Sequence, residues 1–442
     1  MLSMRRHGTS FWIILAAIAI AAVSLSAQPD RTATEGISTA PASMQVTAYT
    51  LPPDLSLKAH NLGRIRFWLA LLEPPYGVVI LWALLSLQLA PRYRDWSEEF
   101  FRAPFLQSAF FAALFLVTLE LLNLPFHIYG EMISKQYGLS IQSWSSWAWD
   151  WIKAELVSIV IGIGAIWLLY AVIRRSPRRW WFYFWLVSLP CGLALVFLQP
   201  WVFDPLFHKF EPLQQKDPAL TAALELLVQR AGENIPPERM FWMSASQKTT
   251  GLNAYVAGIG ASKRIVVWDT TVAKMNTPQI VYVAGHEMGH YVLLHIPKGL
   301  AIGAVLMLAL FYVGYRVSGW MLRRWGERWG IRGVDDLASL PVFLLVLTIL
   351  IFLPSPLFSS ISRYFEHQAD QYGLEVTHGL TPDSSQIAAQ SFQILGEVDL
   401  SDPDPNPVDV FMYYDHPSIA DRIRFCLDYD PWANGGHGEF VK

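Results

Sequence analysis

Apolar positions gather along the chain into long runs separated by two polar blocks. Runs at 11–27, 67–90, 103–126, 155–173, 182–203, 298–320 and 337–360 are long enough, or nearly so, to cross bilayer hydrocarbon as helices. The run at 67–90 contains Glu73-Pro74-Pro75, which predicts a break there. The first run, FWIILAAIAIAAVSLSA, follows Arg5, Arg6 and His7 and ends in small residues, so 1–29 reads as a signal peptide or a signal anchor. Residues 30–61, rich in Thr, Ser, Ala and Pro, read as a flexible linker. The remainder divides into an N-terminal membrane domain at 62–203, a polar block at 204–297, a membrane hairpin at 298–360 and a second polar block at 361–442.

The polar blocks carry a different pattern. Asp217-Pro218 opens a helical period, ALTAALELLVQRA, that stops at Gly232. Short β-rich runs follow at Met240–Met243, Ala254–Val256 and Arg264–Trp268. Thr277-Pro278 then starts a long helix, QIVYVAGHEMGHYVLLH. The expected architecture is an α-helical polytopic membrane protein of about seven transmembrane helices, with a small α+β unit split by the membrane hairpin.

Composition agrees. Of 442 residues, 53% are hydrophobic and 16% charged, against about 25% charged in soluble proteins. The 19 Trp suit the interfaces of a bilayer. Disorder, collagen and a disulfide scaffold are excluded, and Cys191 and Cys426 alone cannot build a thiolate metal site. A net charge of -3 gives no sign of a nucleic-acid partner, and nothing indicates an oligomer. Glu120, Asn123 and Glu155 lie in or beside apolar runs, where they either face a wet interior or cap helix ends. Alternating seven crossings puts Arg5 and Arg6, Arg92, Arg94 and Arg102, Arg174, Arg175, Arg178 and Arg179, and Arg323, Arg324, Arg328 and Arg332 on one side. Positive-inside logic makes that side cytoplasmic and puts the polar blocks opposite.

The long helix contains His286-Glu287-Met288-Gly289-His290, an HExxH pattern. Two His four residues apart sit about 40° apart around a helix, so both rings reach one ion, and Glu287 stands beside them as a base. Zinc suits two His and a carboxylate and leaves a position for a reacting oxygen. A catalytic zinc needs a third protein ligand. His295 is the nearest candidate but lies about 140° around the helix from His290 and faces away, and Leu293 and Ile296 stand where the long metzincin motif needs Gly and His. The stretch ISRYFEHQADQYG (361–373) offers Glu366 and Asp370, four apart on one helix face, with His367 about 100° away from Glu366. Glu366 is assigned as the third ligand and Asp370 as a carboxylate orienting a zinc-bound His. Standing alone, the same stretch would be an exposed helix with ordinary surface acids.

Beyond HExxH, the segments LQPWVFDPLFHKFEPL (198–213), LNAYVAGIGASKRIVVWDT (252–270), VAGHEMGH (283–290), SRYFEHQAD (362–370) and DHPSIADRI (415–423) resemble the type 1 CAAX prenyl protease family, integral-membrane zinc metalloendopeptidases. LPFHIYGEMISKQYGLSIQSW (124–144) is similar to the family's loop before its middle helices. The likeness runs from about 67 to the C-terminus. It implies a ring of seven membrane helices around a water-filled chamber, zinc on His286, His290 and Glu366, and Glu287 as base. It also implies Asp370 as a proton donor or orienting acid, Asn253 beside the substrate, and His416 against the oxyanion. The strand that follows Asn253, beginning Ala254-Tyr255, would bind an extended peptide by adding a strand. Taken alone, Asn253 is equally a turn residue, and His416 a neighbour of a helix N-cap with Pro417 at the first helical position. Arg422 is either a structural ion pair or a contact for a substrate carboxylate.

The expected activity is hydrolysis of a peptide bond in a peptide or protein that is membrane-associated or lipidated, without a covalent intermediate. The eukaryotic family keeps its zinc domain on the cytosolic side, opposite to the Arg count here, so the side is not assigned. The signal-like N-terminus and Arg-rich loops point to a bacterial inner (cell) membrane, where short or unfolded peptides suit better than a prenylated CAAX substrate. Two other classes fit the same features: a catalytically silent membrane chaperone, and a transporter in which HExxH is incidental. The transporter predicts no tightly bound zinc; the chaperone has no need of Glu287, Glu366 and Asp370 together.

Overall fold

The computed structural model describes residues 45–258, 262–433 and 435–441. The signal-like segment 1–29 and the linker as far as 44 lie outside the described residues. Among these, five helices are long and apolar enough to cross a membrane: α1 (Pro53–Ser86), α3 (Pro104–Gln136), α4 (Trp144–Arg175), α5 (Trp180–Leu198, continued to Phe207 through a π turn) and α8 (His295–Trp325). Helix α2 (Leu89–Phe100) joins the first two. A sixth crossing results if α9 (Leu340–Phe352) and α10 (Ser355–Thr377), bent by 49° at their junction, count as one span. The seventh apolar run, 11–27, is outside the described residues.

Two expectations fail at the N-terminus. Helix α1 runs through Pro74 and Pro75 without a break; a proline removes one backbone donor, which a membrane helix tolerates more readily than a soluble one. The expected linker is also too long, because residues 53–61 already form the start of α1. The preceding strap is held against α11 (Ser384–Val398): Val46 N donates to Gln386 Oε1 at 3.0 Å, and Gln393 Nε2 donates to Thr50 O at 2.6 Å.

The largest apolar cluster of the spans lies at one end. Leu81, Leu84 and Leu85 of α1, Phe111 and Phe115 of α3, Leu169 and Ile173 of α4, Trp180 of α5, Met321 of α8 and Leu340 to Val346 of α9 form one apolar cluster. That end carries the Arg-rich loops. Arg94 donates to Gly330 O at 3.0 Å and to Asp336 Oδ2 at 2.5 Å, and Arg332 reaches Glu98 at 2.7 Å. Of the apolar windows of these five spans only 6–39% is buried, and the far ends of α1 and α3 meet in a smaller cluster of Ala59, Leu62 and Ile133 with Leu139 and Leu400.

The opposite end bears the small α+β unit. Helix α6 (Pro218–Arg230) is capped by Asp217, which accepts from Leu220 N, and it ends before Gly232 in the left-handed conformation at φ 67°, as the sequence predicts. Strands β1 (Phe210–Pro212), β2 (Met240–Met243), β3 (Ala254–Ala257) and β4 (Arg264–Trp268) form a sheet in the order β1-β2-β4-β3. β2 and β4 are parallel, whereas β3 pairs antiparallel with β4 in the register Ala254 to Val267, and so lies at the sheet edge. Helix α7 (Thr277–Val292) packs beside β3, and α12 (Ile419–Asp428) closes the unit. The unit is tied to the membrane helices through the α3–α4 loop. Ser140 bridges Thr249, and buried Lys248 pairs with Asp150 of α4 at 3.3 Å.

Candidate active site

Helix α7 begins with a reciprocal cap, Asn276 Oδ1 accepting from Gln279 N at 3.1 Å and Gln279 Oε1 from Asn276 N at 2.9 Å. Its face toward α10 is made of glycine. A Cβ on Gly289 would meet Tyr372 Cβ at 3.0 Å, and one on Gly373 would meet His286 N at 3.2 Å. The two helices therefore approach backbone to backbone, and the buried face of α10 carries Glu366 and Asp370 onto the two histidines of HExxH.

His286 Nε2 and His290 Nε2 lie 3.3 Å apart. Glu366 Oε2 is 3.2 Å from the first and its Oε1 3.5 Å from the second. Among the described residues, these three form the one group of His, Cys, Asp or Glu whose candidate ligand atoms all lie within 4.8 Å of one another. Glu366 Oε2 and His416 Nε2 are 3.0 Å apart, yet both are buried without a hydrogen bond of acceptable geometry. A buried carboxylate oxygen in that condition is suited to a cation.

Charged groups back this triad. Asp370 Oδ1 is 2.8 Å from His286 Nδ1. Arg422 grips Asp370 with two hydrogen bonds, 2.9 Å from Nε and 2.5 Å from Nη2, and lies 4.1 Å above the Phe392 ring. Arg422 thus forms a buried ion pair and also lines the cavity beside His286 and Glu287. Burial works against charge on His416, but Glu366 and Asp415, the latter 2.7 Å from Nδ1, raise it to about 9. Burial, with the neighbouring His286, His295 and His416, lowers His290 to about 3 against the pull of Glu366. Burial, helped by Glu366, pushes the Glu287 carboxyl up to about 7.

A cavity opens beside His286 and Glu287, walled by Leu252, Asn253 and Ala254 on one side and Phe392, Leu395 and Ile419 on the other. Asn253 is fixed by its backbone, which exchanges hydrogen bonds with the Thr271 hydroxyl at 2.8 Å. Tyr255 is different: it points to the other sheet face and packs with Met243, Val266 and Trp268, because neighbours along a strand alternate. Its side chain therefore stands apart from the cavity. The helix after His416 starts at Ile419 with Ser418 as N-cap, so Pro417 precedes the cap and is not the first helical residue.

Residues 214–429 match the model of Peptidase family M48, and residues 40–209 match that of CAAX prenyl protease N-terminal, five membrane helices. An uncharacterized metalloprotease of Bacillus subtilis, YhfN, is 34% identical over 377 residues, covering 85% of this chain and 86% of the relative. The chain belongs to peptidase family M48. CAAX prenyl protease 1 of Saccharomyces cerevisiae is 26% identical, over 73% of this chain and 72% of its own. The crystal structure of Ste24p from S. mikatae shares the fold, with a TM-score of 0.72 at 22% identity over 86% of this chain and 89% of that one. The protein is a multi-pass membrane metalloendopeptidase, and its substrate is a peptide or protein.

Sequence reasoning missed Asp415, although it precedes His416 directly in DHPS, and it missed the apolar wall from α11, for which a helical period at 384–398 was the available signal. It also set His295 aside. That residue lies 3.2 Å from His290, because α7 stops at Val292 and the helical angle no longer applies.

Proposed function

We propose that the chain is a zinc endopeptidase in which His286, His290 and Glu366 hold the ion and Glu287 is the general base. The observation that carries this reading is the triangle of ligand atoms. Zinc bonds of about 2.0–2.2 Å in a tetrahedron set neighbouring ligand atoms about 3.3–3.6 Å apart. Here the two imidazole Nε2 atoms are 3.3 Å apart, one Glu366 oxygen is 3.2 Å from His286 and the other 3.5 Å from His290, and one ligand atom from each residue lies within 4.8 Å of the other two. Two imidazoles and a carboxylate are also the donor set of catalytic zinc, with one position left open.

When bound, zinc supplies a Lewis acid that polarises a carbonyl and brings the pKa of a water toward about 7. The residues do the rest. Glu287 accepts a proton from the attacking water and returns it to the leaving amine. His416, held at Nδ1 by Asp415, presents its Nε2 beside Glu366 and would steady the oxyanion as a donor. The backbone of β3 at the sheet edge pairs with an extended peptide, with Asn253 and Ala254 beside the scissile bond. Asp370 orients His286, and Arg422 holds Asp370 ionised. Nothing in the structure favours a silent chaperone or a transporter over this reading.

For location, the similarity to a Bacillus subtilis relative and the Arg-rich ends support a bacterial cell membrane, with the Arg-rich end in the cytoplasm and the α+β unit outside. Short or unfolded membrane-associated peptides then suit the site better than a prenylated substrate. An unstructured peptide library, with and without a prenylated member, tests the reading by product mass. Cuts that a chelator abolishes and zinc restores are expected; a zinc-loaded protein that cuts none of them contradicts it.

A further inference from the structure

His295 has no part in the ligand set or the chemistry assigned above, yet it is 4% exposed and packed against the site. It is brought there by an abrupt turn. Helix α7 ends at Val292, Leu294 adopts the left-handed conformation at φ 58°, and α8 begins at His295 itself. The turn costs something, since a branched residue there gains no relief of the kind glycine has. What it achieves is to bring the His295 ring back beside the helix it has just left.

Three contacts fix that ring. Its Nδ1 lies 3.2 Å from Nδ1 of His290, and its Nε2 lies 3.2 Å from Oε1 of Gln368. Its face stacks on Phe365 with ring centres 4.5 Å apart and planes 10° apart. Phe365 and Gln368 flank Glu366 on α10, so His295 joins the helix of the third ligand to the ring of the second.

The protons along this chain have one consistent arrangement. A carbonyl oxygen accepts only, so Gln368 Oε1 requires a hydrogen on His295 Nε2. The neutral His295 ring then presents a lone pair at Nδ1, and His290 must donate its Nδ1–H to it. That leaves the lone pair of His290 on Nε2, the atom 3.3 Å from His286 Nε2 and 3.5 Å from Glu366. Reversing the chain would put the hydrogen on His290 Nε2 and remove it as a ligand. His286 is oriented by a carboxylate, Asp370, whereas His290 has this neutral relay in the same place.

We propose that His295 is a positioning residue that fixes the tautomer and angle of His290 for metal binding, with Gln368 setting the direction of the relay. The proposal rests on the zinc reading above. It is tested on the full chain in detergent by zinc affinity, measured through competition with a graded chelator, alongside kcat and KM at saturating zinc. His295→Phe keeps the stack on Phe365 but removes the acceptor, and should weaken zinc binding by about 10–100-fold. His295→Asn, whose carbonyl stands where Nδ1 stood, should restore most of that loss. Gln368→Leu should also weaken binding, whereas Gln368→Glu, which keeps an acceptor, should stay near wild type. KM should not move in any of them.

Wild-type zinc affinity in His295→Phe overturns the proposal. If that variant does not fold, the Gln368 pair decides, and equal affinities for the Leu and Glu variants overturn it instead. A wild-type protein that binds no stoichiometric zinc is distinguishable from both, since it removes the metal reading itself and this inference with it.

Discussion

Asp370 and Arg422 meet through two hydrogen bonds, at 2.9 and 2.5 Å, while Asp370 turns its Oδ1 to His286 Nδ1 at 2.8 Å. Asp370 is 1% exposed and Arg422 8%, so neither charge has solvent to fall back on. Breaking a buried pair by removing one partner costs about 3–5 kcal/mol, because the other is left uncompensated. Arg422→Met should therefore lower thermal stability in detergent markedly. Asp370→Asn should weaken zinc affinity by about 10–100-fold, through loss of the group that orients His286. Unchanged metal affinity in Asp370→Asn would show that His286 is oriented by something else.

Glu287 sets the acid side of the pH profile. Burial, with Glu366 nearby, raises its carboxyl to about 7, and a general base must be ionised to work. A carboxyl with a raised pKa takes up its proton as pH falls through that value, so kcat/KM should decline below about pH 7. A bound cation would move the limb lower and not higher, because positive charge favours the carboxylate. An acid limb well above 7 would assign it to a different group.

Gly289 tests the approach of the two helices. A Cβ there would lie 3.0 Å from Tyr372 Cβ, and overpacking of this kind costs about 1–3 kcal/mol. Gly289→Ala should also push α10 away and carry Glu366 with it, lowering zinc affinity without touching a ligand. An alanine variant with full affinity would mean that the backbone gives way elsewhere.

Much of the site was legible because its chemistry sits at helical spacing. His286 and His290 are one turn apart on α7, and Glu366 and Asp370 one turn apart on α10, so each pair could be placed on a face before any contact was known. The pairing of those two helices was not legible in the same way. It depends on Gly285, Gly289 and Gly373 meeting across an interface, which local periodicity does not express. His295 was misjudged because the angle of about 140° from His290 assumes a continuous helix. The helix ends at Val292, and the turn at Leu294 carries none of the usual glycine signal. Pro74-Pro75 misled in the opposite sense, as a break that α1 does not make.

The orientation proposed for the membrane has a direct readout. With Cys191 and Cys426 replaced by alanine, a cysteine at Lys274, exposed on the α+β unit, should react with a membrane-impermeant maleimide in intact cells. A cysteine at Pro177, in the Arg-rich loop, should react only after permeabilisation. The reverse pattern would place the site in the cytoplasm.

Zinc content and peptide cleavage measured on the same preparations of wild type and Glu287→Gln test the central claim most directly. Glu287 lines the cavity without belonging to the ligand triangle, so the variant should retain one zinc per chain. Its turnover should fall by about 10²–10⁴-fold, the contribution of a general base. A Glu287→Gln protein that cleaves at the wild-type rate, or that loses its zinc, would contradict the account.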